Sequence, residues 1–312
     1  MHEWQERIVV TGGAGFIGSH LVDALLRAGN AQVTVVDNLT RGRRANLQGW
    51  DGDPRLVVIE ADVREFDQVK QALAGATVVY HLAAQSTVMG AARDIDYTFN
   101  TNVVGTYNVL KAAAERGARR VVFASSREVY GEPVGLPVDE SHPLLSINSY
   151  GSSKVAGEAL CRAFARESSL STSVLRMANV YGARDYARVI PHWVQEAREG
   201  RELVVYGGDQ IIDFVWVGHV TDALQRAAAT DVALPPINVA SGTGTKIVDL
   251  ARRIIQLSGS SSQLRIVPRR SIEVTRFIGS TDRMSQLLGV SPSVDPLSEL
   301  ATMVQAVAGA AA

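Results

Sequence analysis

The sequence predicts an α/β fold: a Rossmann-type doubly wound parallel sheet followed by a smaller α/β lobe. Three observations carry that expectation. Short apolar, β-branched runs alternate with stretches of helical period as far as about residue 182, and continuous apolar runs suit strands buried on both faces. A glycine-rich turn, TGGAGFIG, stands between the first such strand and the first helix. Asp37 closes the second strand, nineteen residues beyond Gly18.

Element by element, RIVVTG reads as a strand, FIGSHLVDALLRAG as a helix, and AQVTVVDN and LVVIEAD as the next two strands. The helical stretch QVKQALAG leads to the strand TVVYHLAA; TNVVGTYNVLKAAAERG leads to RRVVFASS; and GSSKVAGEALCRAFARES leads to STSVLRMANVYG. Strand and helix in this repeated order give a parallel sheet with helices on both faces. Past residue 182 an arginine-rich loop, one helix and a strand intervene before DFVWVGHVTDALQRAAA and INVA resume the rhythm. A helix (IVDLARRIIQLSG), a basic strand region (LRIVPRR) and an alanine-rich, frayed tail close the chain. The expected organisation is a dinucleotide domain over 1–178, rejoined by 213–240, and a substrate domain over 179–212 and 241–312.

Composition narrows the function. The 312 residues carry a formal charge of −1, from 31 basic and 32 acidic side chains, so no electrostatic surplus exists to hold a nucleic acid or an anionic membrane. A single cysteine, Cys161, excludes an intramolecular disulfide and a thiolate metal site; it reads as a small core residue of a cytoplasmic protein, and no metal is expected. The opening residues lack the pattern of a signal peptide, and no apolar run is long enough to span a membrane.

The turn TGGAGFIG places Gly12, Gly15 and Gly18 with GxxGxxG spacing. Glycine permits a tight turn and close backbone approach, and free N–H groups at the helix start receive a pyrophosphate. Asp37 accepts both hydroxyls of an adenosine ribose and repels the extra phosphate of NADP, so the spacing points to NAD; Arg41, Arg43 and Arg44 close by work against that preference. Asp62 and Val63, ending the third strand, fit an adenine contact, and small Ala83 and Ala84 in HLAAQ let the backbone lie against the cofactor. In SYGSSK, Tyr150 and Lys154 stand four apart at the start of a helix and hence on one face. A neighbouring ammonium stabilises a phenolate, which makes Tyr150 a candidate general acid/base.

Taken in order, TGGAGFIG, HLAAQ, Asn102 in TNVVGTYN, ASSREVYG, YGSSK and RMANVYGARD resemble the extended short-chain dehydrogenase/reductase family over nearly the whole chain. The nearest likeness is to its nucleotide-sugar epimerases and dehydratases. The resemblance implies tightly held NAD, contacted also by Phe16, Ile17, Asn38, Leu82 and Asn102. It implies that Ser126 hydrogen-bonds the C4 hydroxyl of a hexose beside Tyr150, and that Lys154 also holds the nicotinamide ribose. Tyr150 would take the C4 hydroxyl proton as C4 gives a hydride to NAD; the 4-keto sugar then turns about its diphosphate link and takes the hydride back on its other face, with no reductant consumed. On the substrate side the resemblance implies Ser86, Asn179 for a phosphate, Val189, Ile190, Val204 and Tyr206 for uracil and ribose, Arg270 for the diphosphate and Glu273 for the ribose. A homodimer built from the helices around 100–117 and 150–168 is likewise implied.

The chain also departs from the family pattern. Ile212 stands where an arginine usually precedes Asp213, which puts one diphosphate contact in doubt. Arg127 and Arg188 are gains; an arginine fork pairs with a carboxylate, which favours UDP-glucuronate, epimerised to UDP-galacturonate, over UDP-glucose. Glu128 resembles the glutamate of UDP-glucuronate decarboxylases and 4,6-dehydratases, which keeps those reactions as alternatives. A non-catalytic NAD-binding sensor of this fold would lack the Tyr150/Lys154 pair.

Overall fold

The computed structural model describes residues 6–29, 31–186, 188–269 and 272–309. The frayed tail expected at 310–312 and the diphosphate residue expected at 270 lie outside these. In chain order the first lobe comprises β1 (Glu6–Thr11), α1 (Phe16–Ala28), β2 (Ala31–Asp37), β3 (Leu56–Glu60), α2 (Phe66–Ala72), β4 (Val78–His81), α3 (Val88–Arg93), α4 (Ile95–Phe99), α5 (Gly105–Arg116), β5 (Arg120–Ser126), α6 (Ser149–Glu167) and β6 (Ser171–Met177). There follow β7 (Asn179–Tyr181), α7 (Val189–Arg198), β8 (Leu203–Tyr206), β9 (Ile211–Trp216), α8 (Val217–Ala229), β10 (Ile237–Val239), β11 (Gly244–Lys246), α9 (Ile247–Leu257), β12 (Leu264–Val267), β13 (Arg276–Phe277), α10 (Asp282–Leu288) and α11 (Leu300–Gly309).

Seven parallel strands form the main sheet in the order β10-β6-β5-β4-β1-β2-β3. The order reverses between β1 and β4, and a crevice opens at such a point outside the carboxyl ends of the strands. Two apolar cores flank the sheet. One packs Val10, Val33, Val35 and Leu175 against α1 and α8; the other packs Val9, Val79, Val121 and Phe123 against α2, α5 and α6. β5 is buried at all seven positions, as its continuous apolar run requires.

A third core joins Tyr181, Trp193, Val205, Phe214 and Leu250 among α7, α9, α11 and two small sheets, β11-β9-β13 with β7 on β9, and β12-β8. β9 pairs with β7, β11 and β13, and after α8, which packs against the first core, β10 rejoins the main sheet beside β6. Asp213 fixes that small sheet. Its fully buried carboxylate accepts from Ser241 N and Oγ at 2.8 and 2.7 Å, Gly242 N at 3.0 Å and Gly279 N at 3.1 Å.

Candidate active site

At the switch point the glycine turn meets β4. Gly12 has φ +71°, and a Cβ there would lie 2.7 Å from Ala83 N and 2.9 Å from the Leu82 carbonyl carbon. A Cβ on Gly18 would strike the Gly12 carbonyl oxygen. Gly15 stands at the N-cap of α1 and supplies no side-chain cap, so the first amides, at Phe16 and Ile17, face the crevice for an anion to bind. This bare cradle, too tight for any side chain, fits a dinucleotide diphosphate.

Asp37 lies beside the turn, its two oxygens accepting from Ala14 N at 3.0 Å and Leu39 N at 2.9 Å; burial pushes its carboxyl pKa up, against those two bonds. Gly42 packs so closely that a Cβ would come within 2.6 Å of the Asp37 carboxylate. Arg43 stacks on Tyr186 and Arg44 lies near Glu60, so neither neutralises Asp37. At the ends of β2 and β3, Asn38 Nδ2 donates to Asp62 at 2.9 Å. Arg64, followed by weaker hydrogen bonds that include Asn38, holds the Asp62 carboxyl down at about 2. Val63 is buried, its carbonyl held by Asn108 at 3.0 Å.

Asn102 sits in a widened π turn, Asn100–Val104, between α4 and α5, a local irregularity common at functional sites. It exchanges two hydrogen bonds with the Gln85 backbone, at 2.8 and 3.0 Å, and donates to Ser153 Oγ at 2.9 Å. It thereby fastens Gln85, next to Ala84, to α6, and the structure gives it this tethering position. Beneath, the Thr106 hydroxyl donates to the Asn102 carbonyl at 2.6 Å, so it must accept from His81 Nε2. His81 Nδ1 then accepts from Thr11 at 2.7 Å. Burial, then the Lys154 charge, pushes this histidine down to about 3 and keeps it neutral.

The catalytic candidates converge from two elements. Ser126 ends β5 and Tyr150 lies in the first turn of α6, and the Ser126 hydroxyl is near enough to the phenol to favour its ionised form. Asn148 caps α6 by accepting from Gly151 N at 2.8 Å. Lys154, one turn on, is buried and donates to the Ala124 carbonyl at 2.8 Å; burial pushes it down to about 8. Burial pushes Tyr150 up, and the charges that offset it come from Arg188 first and then Arg127. The expected cation for Tyr150 was Lys154, whose Nζ stands 5.9 Å from the ring centroid; two arginines from other elements bear on the phenol.

Arg127 and Glu128 follow Ser126 in a buried single turn. Arg127 Nη2 lies 2.9 Å from Glu128 Oε1, Arg127 Nε donates to Asn179 at 2.6 Å, and Asn148 Nδ2 donates to Glu128 Oε2 at 2.7 Å. Arg127 Nη1 is buried without a partner. Asn179, Arg188, Val189 and Ile190 line one small cavity at the N-terminus of α7. Val204 and Tyr206 lie on β8, outside that lining; Trp193 of α7 donates to the Val204 carbonyl at 3.2 Å. Ser86 accepts from Arg41 at 3.0 Å, and Glu273 is half-buried in the loop before β13.

Sequence reasoning passed over a buried charged network under β5. Glu158 pairs with Arg176 at 2.7 Å and accepts from Ser125 Oγ at 2.5 Å; Arg176 also donates to Tyr130 Oη at 3.0 Å, and Tyr130 donates to Asn238 at 2.6 Å. A signal for it was present: Glu158 lies one turn past Lys154, and an arginine inside the apolar run SVLRM requires a buried acid.

The NAD dependent epimerase/dehydratase family model matches residues 8–240, and the chain belongs to that family. NAD is its cofactor: a dTDP-glucose 4,6-dehydratase, DesIV from Streptomyces venezuelae, solved with NAD bound, matches with a TM-score of 0.93 and 31% identity over 97% of each chain. Among curated relatives, a putative UDP-glucose 4-epimerase of Methanocaldococcus jannaschii is 35% identical over 92% of this chain and 94% of its own length. UDP-glucuronic acid decarboxylase 1 of Xenopus tropicalis is 33% identical over 95% of this chain and 70% of its own. Among the described residues no helix is long and apolar enough to cross a membrane.

Proposed function

We propose that this protein is a 4-epimerase of a UDP-hexose, and that UDP-glucuronate and UDP-galacturonate are the pair it interconverts. The observation that carries the reading is the tethering of Glu128. Elimination across C5 and C6 needs a group free to exchange a proton, and both oxygens of Glu128 are engaged, one by the Arg127 cation and one by Asn148. Proton uptake there would break a buried ion pair. That leaves Ser126 and Tyr150, which serve a hydroxyl, so elimination is disfavoured and epimerisation at C4 is the simplest fit.

Bound NAD supplies a hydride acceptor at C4 and returns the same two electrons. Tyr150 takes the O4 proton and gives it back, Ser126 aligns O4, and Lys154 keeps a positive charge behind the site. Arg127 is held tightly, by Glu128 at 2.9 Å and Asn179 at 2.6 Å, whereas Arg188 meets Asp185 only at 3.4 Å; Arg188 is therefore the partner for a C6 carboxylate, and the Arg127 Nη1 donor suits a neutral sugar oxygen. UDP-glucose is the second reading, favoured by the likeness to the archaeal epimerase.

The dinucleotide lies on 1–178 and 213–240 and the nucleotide sugar on 179–212 and 241–312, with Val204 and Tyr206 toward the base, Glu273 toward its ribose and Arg270 toward the diphosphate. Two copies pair through α5 and α6 in the cytoplasm. The test incubates the protein separately with UDP-glucuronate and UDP-glucose, without reductant, and identifies products by NMR. UDP-galacturonate alone supports the reading; UDP-galactose alone moves it to the neutral hexose; UDP-xylose or a 4-keto product overturns epimerisation and returns Glu128 to the chemistry.

A further inference from the structure

The crevice carries more positive charge than the glycine turn and the catalytic hydroxyls account for. Of the three arginines after β2, Arg43 stacks 3.8 Å from the Tyr186 ring centroid and Arg44 lies 3.8 Å from Glu60 at the surface. Arg41 turns the other way. Its Nη1 donates to Ser86 Oγ at 3.0 Å, so the side chain spans from the loop after β2 to the loop after β4. Among the described residues no carboxylate lies within ion-pair distance of Arg41.

Arg188 approaches from the opposite lip, at the N-terminus of α7, with its guanidinium carbon 5.4 Å from the ring centroid of Phe16, the first residue of α1. Asp185 stands 3.4 Å from Arg188. Partial burial and then the like charge of Arg188 push the Arg41 pKa down. Arg188 thus has Asp185 beside it, whereas Arg41 has, among the described residues, only the neutral Ser86 hydroxyl, and the start of α1 has no side-chain cap. Arg41 therefore keeps its charge for a ligand, and an anion with two charges and several oxygens answers both this guanidinium and the amides of the helix start.

We propose that Arg41 is a binding residue for a diphosphate ester, reaching it from the cofactor loop opposite Arg188. The guanidinium fork matches a pair of non-bridging phosphate oxygens, which an ammonium at the same place would meet only as a point charge. Ser86 keeps the arm extended in the free protein through a neutral hydroxyl, so a ligand displaces one ordinary hydrogen bond and breaks no ion pair. Arg41 supplies from the first lobe the cation whose expected place, at Ile212, is vacant on the second. Two esters carry this chemistry: the dinucleotide, and the nucleotide sugar, the latter resting on the proposed substrate.

Binding, measured without turnover, tests the inference on the full chain. Arg41→Met keeps an unbranched apolar stem and removes the charge and donors; Arg41→Lys keeps the charge. NAD is titrated into cofactor-stripped protein, and UDP and uridine are titrated into NAD-loaded protein, with thermal midpoints confirming that each variant folds. Arg41→Met is expected to weaken NAD or UDP by about tenfold to a hundredfold, with partial recovery in Arg41→Lys and no change for uridine. A loss confined to NAD assigns the dinucleotide, and a loss confined to UDP the nucleotide sugar. Changes below about threefold for both, or equal losses for UDP and uridine, overturn the inference. A protein that binds NAD and UDP through Arg41 yet epimerises no UDP-hexose would sink the proposed reaction while leaving this site intact.

Discussion

The roles proposed for Tyr150, Ser126 and Lys154 rest on atoms that can be removed singly. Tyr150→Phe deletes the hydroxyl beside Ser126 and leaves the α1 cradle untouched, so turnover is expected to fall by about 10²–10⁴-fold with the NAD content of the purified protein unchanged. Lys154 titrates at about 8 because its ammonium is buried. Above that pH the site loses the positive charge behind Tyr150, and kcat/KM is expected to decline on an alkaline limb close to pH 8; a limb displaced above pH 9.5 would remove Lys154 from the mechanism. For stability the sign runs upward. The unfolded chain holds this proton until near the ordinary lysine value of 10.5, so between 8 and 10.5 it binds more protons than the folded protein and the cost of the buried charge is relieved as pH rises. Arg188→Ala is expected to harm a uronate substrate more than a neutral hexose. Equal losses in kcat/KM on UDP-glucuronate and UDP-glucose would deny Arg188 the carboxylate.

Among the elements, α6 deserves its place because it presents Tyr150 from its first turn, where helices fray unless capped. Asn148 supplies the cap through Oδ1 and steadies Glu128 through Nδ2. Asn148→Ala is expected to cost about 1 kcal/mol, read as a lower thermal midpoint, and to slow turnover as Tyr150 loses its fixed position; Asn148→Ser, which keeps a capping oxygen, should recover most of the stability. Pattern alone located this helix, since SYGSSK sets the tyrosine and lysine one turn apart. Nothing in the local sequence announced that its capping residue also holds a carboxylate twenty positions upstream.

For the whole molecule, the Glu158–Arg176 pair ties α6 to β6 behind the catalytic strand, both side chains being about 95% buried. Glu158→Ala leaves an unpaired buried guanidinium and is expected to destabilise the fold by about 3–5 kcal/mol, and Arg176→Met in the same chain should recover much of it. Denaturant titrations of the single and double variants measure both. Phe99 and Tyr107 remain over 40% exposed near the start of α5, with Tyr107 packed 6.0 Å from Phe164 of α6. If this face pairs with a second copy, Tyr107→Glu will halve the mass seen by light scattering, whereas an unchanged dimeric mass would place the contact elsewhere.

The sequence by itself determined the sheet, the cofactor class and the placing of Tyr150 and Lys154 one turn apart on α6. Each of these is written in short-range pattern: strand-length apolar runs, glycines where no side chain fits between Gly12 and Ala83, and a tyrosine and lysine at helical spacing. Only the tertiary structure decided how the arginines are used. Arg127, Arg188 and Arg41 are alike in a chain rich in arginine, and their roles depend on which carboxylates, hydroxyls and rings the fold brings within a few ångströms. Arg127 is met by Glu128 and Asn179, Arg188 bears on Tyr150 from another lobe, and Arg41 crosses the crevice to Ser86. Electrostatic effect depends on distance and burial, and neither is fixed by neighbours along the chain.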